Sequence, residues 1–290
     1  MECGDFSTFY TLMGQLPKVT SFRLDLYNWE GFWYVGDHLP GAMDAKSNFQ
    51  AKDDDVLLTS SVKTGTTWLK AIIPTIMNPK GRKDDGSDDP SLKHHPNELT
   101  PSLELGFYKV NPNPDLSHMP SPRLFRTHIP YTSLPESVKT SACKIVYITR
   151  ESRDPKDTFV SSWHFVNAFI GDQGIDPWPF KNAYGSFCNG VHAAGPFHDH
   201  VLGSWRESIK RPEMIYFMRN EDMKKDPKGE VKKLACFLGR PFEKEEEVEK
   251  VLWRRGIVGD WKNHFTDEMK GKLEQLTAMK FEGSGLDFGY

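Results

Sequence analysis

The chain has 290 residues, 38% of them hydrophobic and 27% charged. That length holds one large α/β domain or two small ones, and the composition excludes a disordered chain. The 37 basic and 40 acidic side chains leave a formal charge of −3. This argues against a generally cationic nucleic-acid binder, but not against a local basic pocket for one phosphorylated ligand.

In chain order, residues 1–20 read as a flexible N-terminus and 21–290 as one domain. Asp55 to Ser60 predicts a buried strand and Thr66 to Met77 the helix after it. Residues 78–101 carry the polar run Lys83 to Pro90 and the pair His94-His95, and read as a surface loop or lid. With no further ligand at metal spacing, the two histidines read as solvated loop residues. Arg123 to His128 is a short strand with a polar tip, and Lys144 to Thr149 a β-branched strand. Asp154 is the expected N-cap and Pro155 the first residue of a helix reaching about Ile170. Met214 to Met218 is a further strand. Asp226-Pro227 opens a helix ended by Gly239 as its C′ glycine. Strands alternating with helices imply a parallel sheet covered on both faces, with ligands at the carboxyl ends of the strands.

The stretch Ala71 to Met77 is too short to span a membrane and contains Pro74. Met1-Glu2-Cys3-Gly4-Asp5 has neither the basic flank nor the apolar core of a secretory signal. Cys3, Cys143, Cys188 and Cys236 lack metal-type spacing and read as free thiols in the cytosol.

Between the first strand and its helix runs Ser60-Ser61-Val62-Lys63-Thr64-Gly65-Thr66-Thr67-Trp68. Unpaired amides at a helix start, a glycine, a lysine and two hydroxyls are phosphate-binding chemistry. The nucleotide-triphosphatase pattern Gly-x4-Gly-Lys-Ser/Thr is absent. An ordinary strand-to-helix turn with one exposed lysine is the competing reading. His128 is either a base titrating near neutrality or a strand-end histidine bonded to backbone. Arg153, with Ser161 two turns along its helix, can grip a phosphate, and Arg150 competes for that role. The run Trp253-Arg254-Arg255-Gly256-Ile257-Val258-Gly259-Asp260-Trp261-Lys262-Asn263-His264 is the most specific pattern in the chain.

Together these stretches resemble the cytosolic sulfotransferases, in particular plant members. The loop matches Pro-Lys-Ser/Thr-Gly-Thr-Thr-Trp except for Val62. Arg126-Thr127-His128-Ile129-Pro130 matches Lys-Thr-His-Leu-Pro. Arg153 to Ser161 matches Arg-Asp/Asn-Pro-Lys-Asp…Ser, and the last run matches Arg-Lys-Gly-x-x-Gly-Asp-Trp-Lys-Asn-His. Gly31-Phe32-Trp33-Tyr34 and Gly195-Pro196-Phe197-x-Asp199-His200-Val201 are similar to plant segments.

The resemblance implies one α/β domain around a parallel sheet with a P-loop-like phosphosulfate loop. The implied co-substrate is PAPS, leaving PAP, with no metal. Lys63, Thr64, Gly65, Thr66 and Thr67 would hold the phosphosulfate and Trp68 lie against the adenine. Arg153, Ser161, Arg254, Arg255 and Gly256 would hold the 3′-phosphate. His128 would act as general base with Lys63 beside the reacting group. Phe32, Arg126 and Phe165 would face a small, largely apolar hydroxylated acceptor: a flavonoid, a brassinosteroid, a jasmonate derivative, a glucosinolate precursor or a strigolactone precursor. Trp33 and Trp163 read equally well as core.

No nucleic acid or membrane partner is implied, and the chain would be a monomer or weak homodimer. Asn220 stands at the family's tyrosine. Thr266-Asp267-Glu268-Met269 lacks the valine of the usual dimer motif. The chain is short near 250–252, either by deletion or by a segment missing from the sequence. The departures at Asn220 and near 250–252 motivate an alternative, a decayed relative that binds nucleotide or a small molecule without turnover; a kinase-like phosphotransferase is the third reading.

Overall fold

The computed structural model describes residues 12–21, 24–78, 94–150, 155–172, 174, 176–252 and 266–284. An antiparallel meander comes first: β1 (Lys18–Ser21), β2 (Leu24–Trp29) and β3 (Phe32–Val35), side by side in that order. Glu30 and Gly31 between β2 and β3 have φ of 53° and 85°, the left-handed pair that suits a two-residue hairpin. Helix α1 (Leu39–Asn48) leads into β4 (Val56–Thr59), which is followed by α2 (Thr66–Met77) and the short α3 (Pro96–Leu99). Then come β5 (Leu124–Thr127), α4 (Glu136–Thr140), β6 (Lys144–Thr149), α5 (Lys156–Gly171), α6 (Phe180–Cys188) and α7 (Phe197–Lys210). The chain continues through β7 (Ile215–Arg219), α8 (Asn220–Lys225), α9 (Pro227–Phe237), α10 (Glu245–Leu252) and α11 (Asp267–Phe281).

The second sheet is wholly parallel, ordered β5-β4-β6-β7. Alternate strand residues feed two apolar layers. Leu57, Phe125, Ile145 and Ile215 pack with Leu39, Ala42 and Ala45 of α1. Val56, Leu58, Val146, Ile148 and Met218 pack with Leu69, Ile72, Ile73 and Ile76 of α2 and Val231 and Leu234 of α9. Strands covered on both faces have no polar side to alternate with, which is why they read as continuous apolar runs. Each fully buried Leu or Ile contributes about 2 kcal/mol of transfer free energy. The meander joins the first layer through Phe32 and Tyr34. Trp33 exchanges backbone bonds with residues 194 and 195 at 2.8 Å each way.

Thr59 stands in register with Thr127 on one side and Tyr147 on the other. The carboxyl ends of β4 and β5 therefore finish level, with β6 running two residues further to Thr149, and the segments after β4 and β5 leave the sheet side by side.

The expected parallel α/β architecture and its strand and helix sequence are present, with local differences. Helix α5 begins at Lys156, with Pro155 in the N-cap position instead of inside the helix; Asp154 lies outside the described residues. The charges at its start are not solvated. Lys156 is 1% exposed and bonds Glu274 at 2.9 Å, and Asp157 is buried. The expected loop at 78–101 contains α3, capped by His95, whose Nδ1 accepts from the Asn97 amide at 3.2 Å. His94 lies 3.3 Å from Glu98. Pro74 does not break α2. Its missing N–H frees the Lys70 carbonyl, which accepts the Thr100 hydroxyl at 3.2 Å. The antiparallel meander begins at Lys18, before residue 21. Gly239, at φ 68°, closes α9: its amide bonds Cys236 and that of Arg240 bonds Ala235, the paired bonds of a Schellman end.

Candidate active site

The loop after β4 turns because two residues take left-handed backbone: Lys63 at φ 61° and Gly65 at φ 111°. Gly65 is the N-cap of α2, so the amides that follow it point out of the helix start, where an anion is favoured. The hydroxyl of Thr64 is committed to the loop. It is wholly buried and bonds the carbonyls of Ser61 at 2.9 Å and Ile148 at 3.1 Å. That leaves its amide, not its side chain, to face a ligand. Thr66 is partly exposed and Thr67 exposed. Trp68 packs its ring against the layer under α2, and its Nε1 is buried without a protein partner.

Lys63 is half-buried, with its Nζ 4.5 Å from the centre of the Phe165 ring. Burial and the nearby Arg150 guanidinium both lower its pKa. Phe165 is 57% exposed on α5, so the lysine bridges the loop and an open aromatic face.

His128 follows β5 and comes to the start of the loop. Its Nδ1 lies 2.9 Å from the Ser60 carbonyl. A carbonyl only accepts, so Nδ1 carries the hydrogen and Nε2 keeps its lone pair. The His128 amide donates to Glu104 Oε1 at 2.9 Å. Glu104 sits in a π-helical turn (Leu103–Tyr108), a rare conformation that recurs at functional sites. Burial lowers the pKa of His128; Glu104 opposes that shift, while Arg126 and Lys70 add to it. Lys70 itself is pushed down to about 8, first by burial and then by Arg126 and Lys63.

Arg150 thus raises the cost of charge on Lys63, and Arg126 and Lys63 raise it on Lys70. Nε of Arg126 and Nε of Arg150 are buried with no protein partner. These four cations, with Glu104 as the carboxylate beside Arg126 and with orphaned donors, fit a polyanionic nucleotide.

The remaining expected residues divide. Ser161 lies on α5, partly exposed. Phe32 is 7% exposed, and its ring meets His200 edge-on at 6.0 Å between centres. Trp163 is core-side, bonding the Trp178 carbonyl at 2.9 Å. Arg153, Arg254, Arg255 and Gly256 lie outside the described residues. Arg150, the competitor of Arg153, donates to the Asp157 carbonyl at 2.9 Å and faces Lys63. Thr266, from the stretch compared with the dimer motif, caps α11 by accepting the Met269 amide at 3.2 Å.

Sequence reasoning missed Glu104 and Lys70. A carboxylate three residues after Pro101 and a lysine one turn into α2 carry no motif signal by themselves. Asn220, read only as a lost tyrosine, is buried and packs against Gly65. Among the described residues no group of three metal-ligating side chains gathers, and no helix is long and apolar enough to cross a membrane. Cys143, Cys188 and Cys236 are free thiols.

Residues 53–254 match the family model of the sulfotransferase domain. Cytosolic sulfotransferase 5 of Arabidopsis thaliana is 37% identical over 312 aligned residues, covering 96% of this chain and 95% of its own length. That alignment is longer than the chain's 290 residues, so the relative carries residues with no counterpart here. An Arabidopsis thaliana protein assigned as a steroid sulphotransferase superposes with a TM-score of 0.83 at 35% identity, covering 100% of this chain and 99% of its own. Mouse sulfotransferase SULT7A1, solved in complex with PAP, superposes at 0.66 with 27% identity, covering 91% of this chain and 96% of its own. With the loop, the level strand ends and the cation cluster all in the matched region, the chain belongs to the sulfotransferase family, as a plant-type, PAPS-dependent enzyme.

Proposed function

We propose that the chain moves a sulfuryl group from PAPS to the hydroxyl of a small, largely apolar acceptor, with His128 as general base. The observation that carries this reading is the 2.9 Å contact of His128 Nδ1 with the Ser60 carbonyl. It leaves Nε2 free to take the acceptor's proton as the acceptor oxygen attacks sulfur. The S–O bond to the phosphate breaks as the new one forms. Lys63 and the amides from Thr64 to Thr67 offset charge growing on the leaving phosphate oxygen. Trp68 is the adenine neighbour in this reading. Arg153, Ser161, Arg254, Arg255 and Gly256 take the 3′-phosphate on the strength of the sequence pattern, with Arg150 the competing candidate for the role of Arg153. The exposed ring of Phe165 supports an aromatic or polycyclic acceptor. The relatives' names place such enzymes in the cytosol.

The test is turnover of labelled PAPS against a panel of phenols and alcohols, with His128→Ala alongside. Sulfonated product from the wild type, none from the variant, and equal PAP affinity in both is the expected result. Retained turnover in His128→Ala removes the base role. Tight PAP binding by the wild type with no turnover on any acceptor would make the chain a decayed binder, a reading favoured by Asn220 at the tyrosine position.

A further inference from the structure

Behind the base lies a buried histidine that the transfer reaction as described does not use. His200, on α7, is wholly buried. Its Nε2 lies 3.2 Å from the His128 carbonyl, and its Nδ1 lies 2.9 Å from the Tyr147 hydroxyl. The carbonyl only accepts, so Nε2 carries the hydrogen. Nδ1 then holds a lone pair, and the Tyr147 hydroxyl donates to it. Tyr147 lies within β6, in register with Thr59 immediately before Ser60.

The contacts form a closed circuit. Ser60 holds the His128 ring, His128 offers its carbonyl to His200, His200 is held by Tyr147, and Tyr147 stands beside the strand that carries Ser60. Phe32 closes the remaining side of the His200 ring. Together with the Glu104 bond to the His128 amide, this grips the base at its N–H, its C=O and its ring. The β5 strand ends at Thr127, so the carbonyl bond fixes the first peptide beyond the sheet's own hydrogen bonding.

We propose that His200 is a positioning residue for the base. Its Nε2–H, kept in that tautomer by Tyr147, holds the His128 carbonyl and so sets where the imidazole stands relative to the donor loop. This rests on the reading of His128 as base. A general base must stand within hydrogen-bond reach of the proton it takes, and misplacement by about 1 Å can cost on the order of a hundredfold in rate.

The experiment compares His200→Leu, which fills the space without a donor, with His200→Gln, whose side-chain amide can reach the same carbonyl. Turnover of PAPS is measured with para-nitrophenol or naphthol as acceptor, with PAP affinity and thermal unfolding as controls. The expected result is a kcat loss of roughly ten- to a hundredfold in His200→Leu, with PAP affinity and the KM for PAPS unchanged. His200→Gln should recover most of that loss. Proton NMR gives an arm that needs no turnover. The His128 Nδ1–H signal, assigned by its absence in His128→Ala, should broaden or vanish in His200→Leu and persist in His200→Gln. A folded His200→Leu with wild-type kcat and an intact signal overturns the proposal, as does His200→Gln failing as badly as His200→Leu. Turnover surviving in His128→Ala would instead overturn the base reading, and the NMR arm would still report whether His200 positions that ring.

Discussion

A side-chain carbon built on Gly65 would lie 2.9 Å from Nδ2 of Asn220 and 3.0 Å from its Cγ. The residue at the family's tyrosine position is therefore packed against the glycine that turns the donor loop, and the two positions are coupled. Gly65 also has φ 111°, a region closed to other residues except at a cost of about 1–3 kcal/mol. Gly65→Ala is expected to lower stability by that order and to weaken PAP binding at least tenfold, since the loop amides would move. Adding Asn220→Ala should recover the steric part and leave the backbone part. Thermal unfolding and PAP titration of the two singles and the double separate these contributions. Strict additivity would show that the two positions are not energetically coupled.

The electrostatics around His128 give two substitutions with opposite signs. Glu104 raises the pKa of His128 and Arg126 lowers it. Glu104→Gln keeps an acceptor for the His128 amide but removes the charge. The imidazole then loses its proton more readily, and the acid limb of the kcat/KM profile should move to lower pH. Arg126→Met removes a cation, makes the imidazole easier to protonate, and should move that limb to higher pH. Profiles recorded at constant ionic strength check both. Shifts of the same sign would mean that the limb reports some other group.

Lys70 links donor binding to protons. Burial first, then Arg126 and Lys63, push its pKa down to about 8. Near that pH a fraction of the side chain is neutral in the free protein. A polyanion beside it favours the charged form and raises the pKa, so binding should take up protons. PAP affinity should accordingly decline as pH rises through about 8. Calorimetry at that pH in two buffers of different ionisation enthalpy measures the uptake, and Lys70→Met should reduce it. Equal apparent enthalpies in both buffers for the wild type would refute the linkage.

The parts of this site that could be read from the sequence share one property: their function lies in local backbone. The loop from Ser60 to Trp68 combines a strand end, a glycine and a helix start within nine residues, and these imply an anion site before any contact is known. Lys144 to Thr149 and Thr66 to Met77 became elements with the expected limits because apolar continuity specifies them. What stayed hidden depends on long-range pairing. Glu104 reaches His128 across a π-helical turn, Lys70 matters through Arg126 and Lys63, and His200 reaches the His128 carbonyl from 72 residues away. The start of α5 belongs with these: Lys156 and Asp157 are buried by tertiary packing, and Lys156 finds its partner, Glu274, on α11.

Three buried histidines give the last prediction, on stability against pH. Burial pushes His192 down to about 4, His198 to about 3 and His200 to about 4, against about 6.5 in an unfolded chain. Each folded-state value is depressed, so the unfolded chain binds more protons between these limits. Stability is fully present above about pH 6.5 and declines as pH falls toward the folded values. Depressions of this size correspond to roughly 3 kcal/mol for His192 and His200 and roughly 5 kcal/mol for His198 once both limits are passed. His198 donates through Nε2 to the Thr277 hydroxyl at 3.0 Å, which itself donates to Leu273. His198→Gln can keep that bond while removing the titrating ring. Urea unfolding at pH 7, 6 and 5 should show the wild type weakening steadily and His198→Gln weakening less, by about one proton's slope near pH 5. Parallel slopes for the two proteins would mean that His198 is already protonated in the fold, which its burial against Phe281 and Thr277 makes unfavourable.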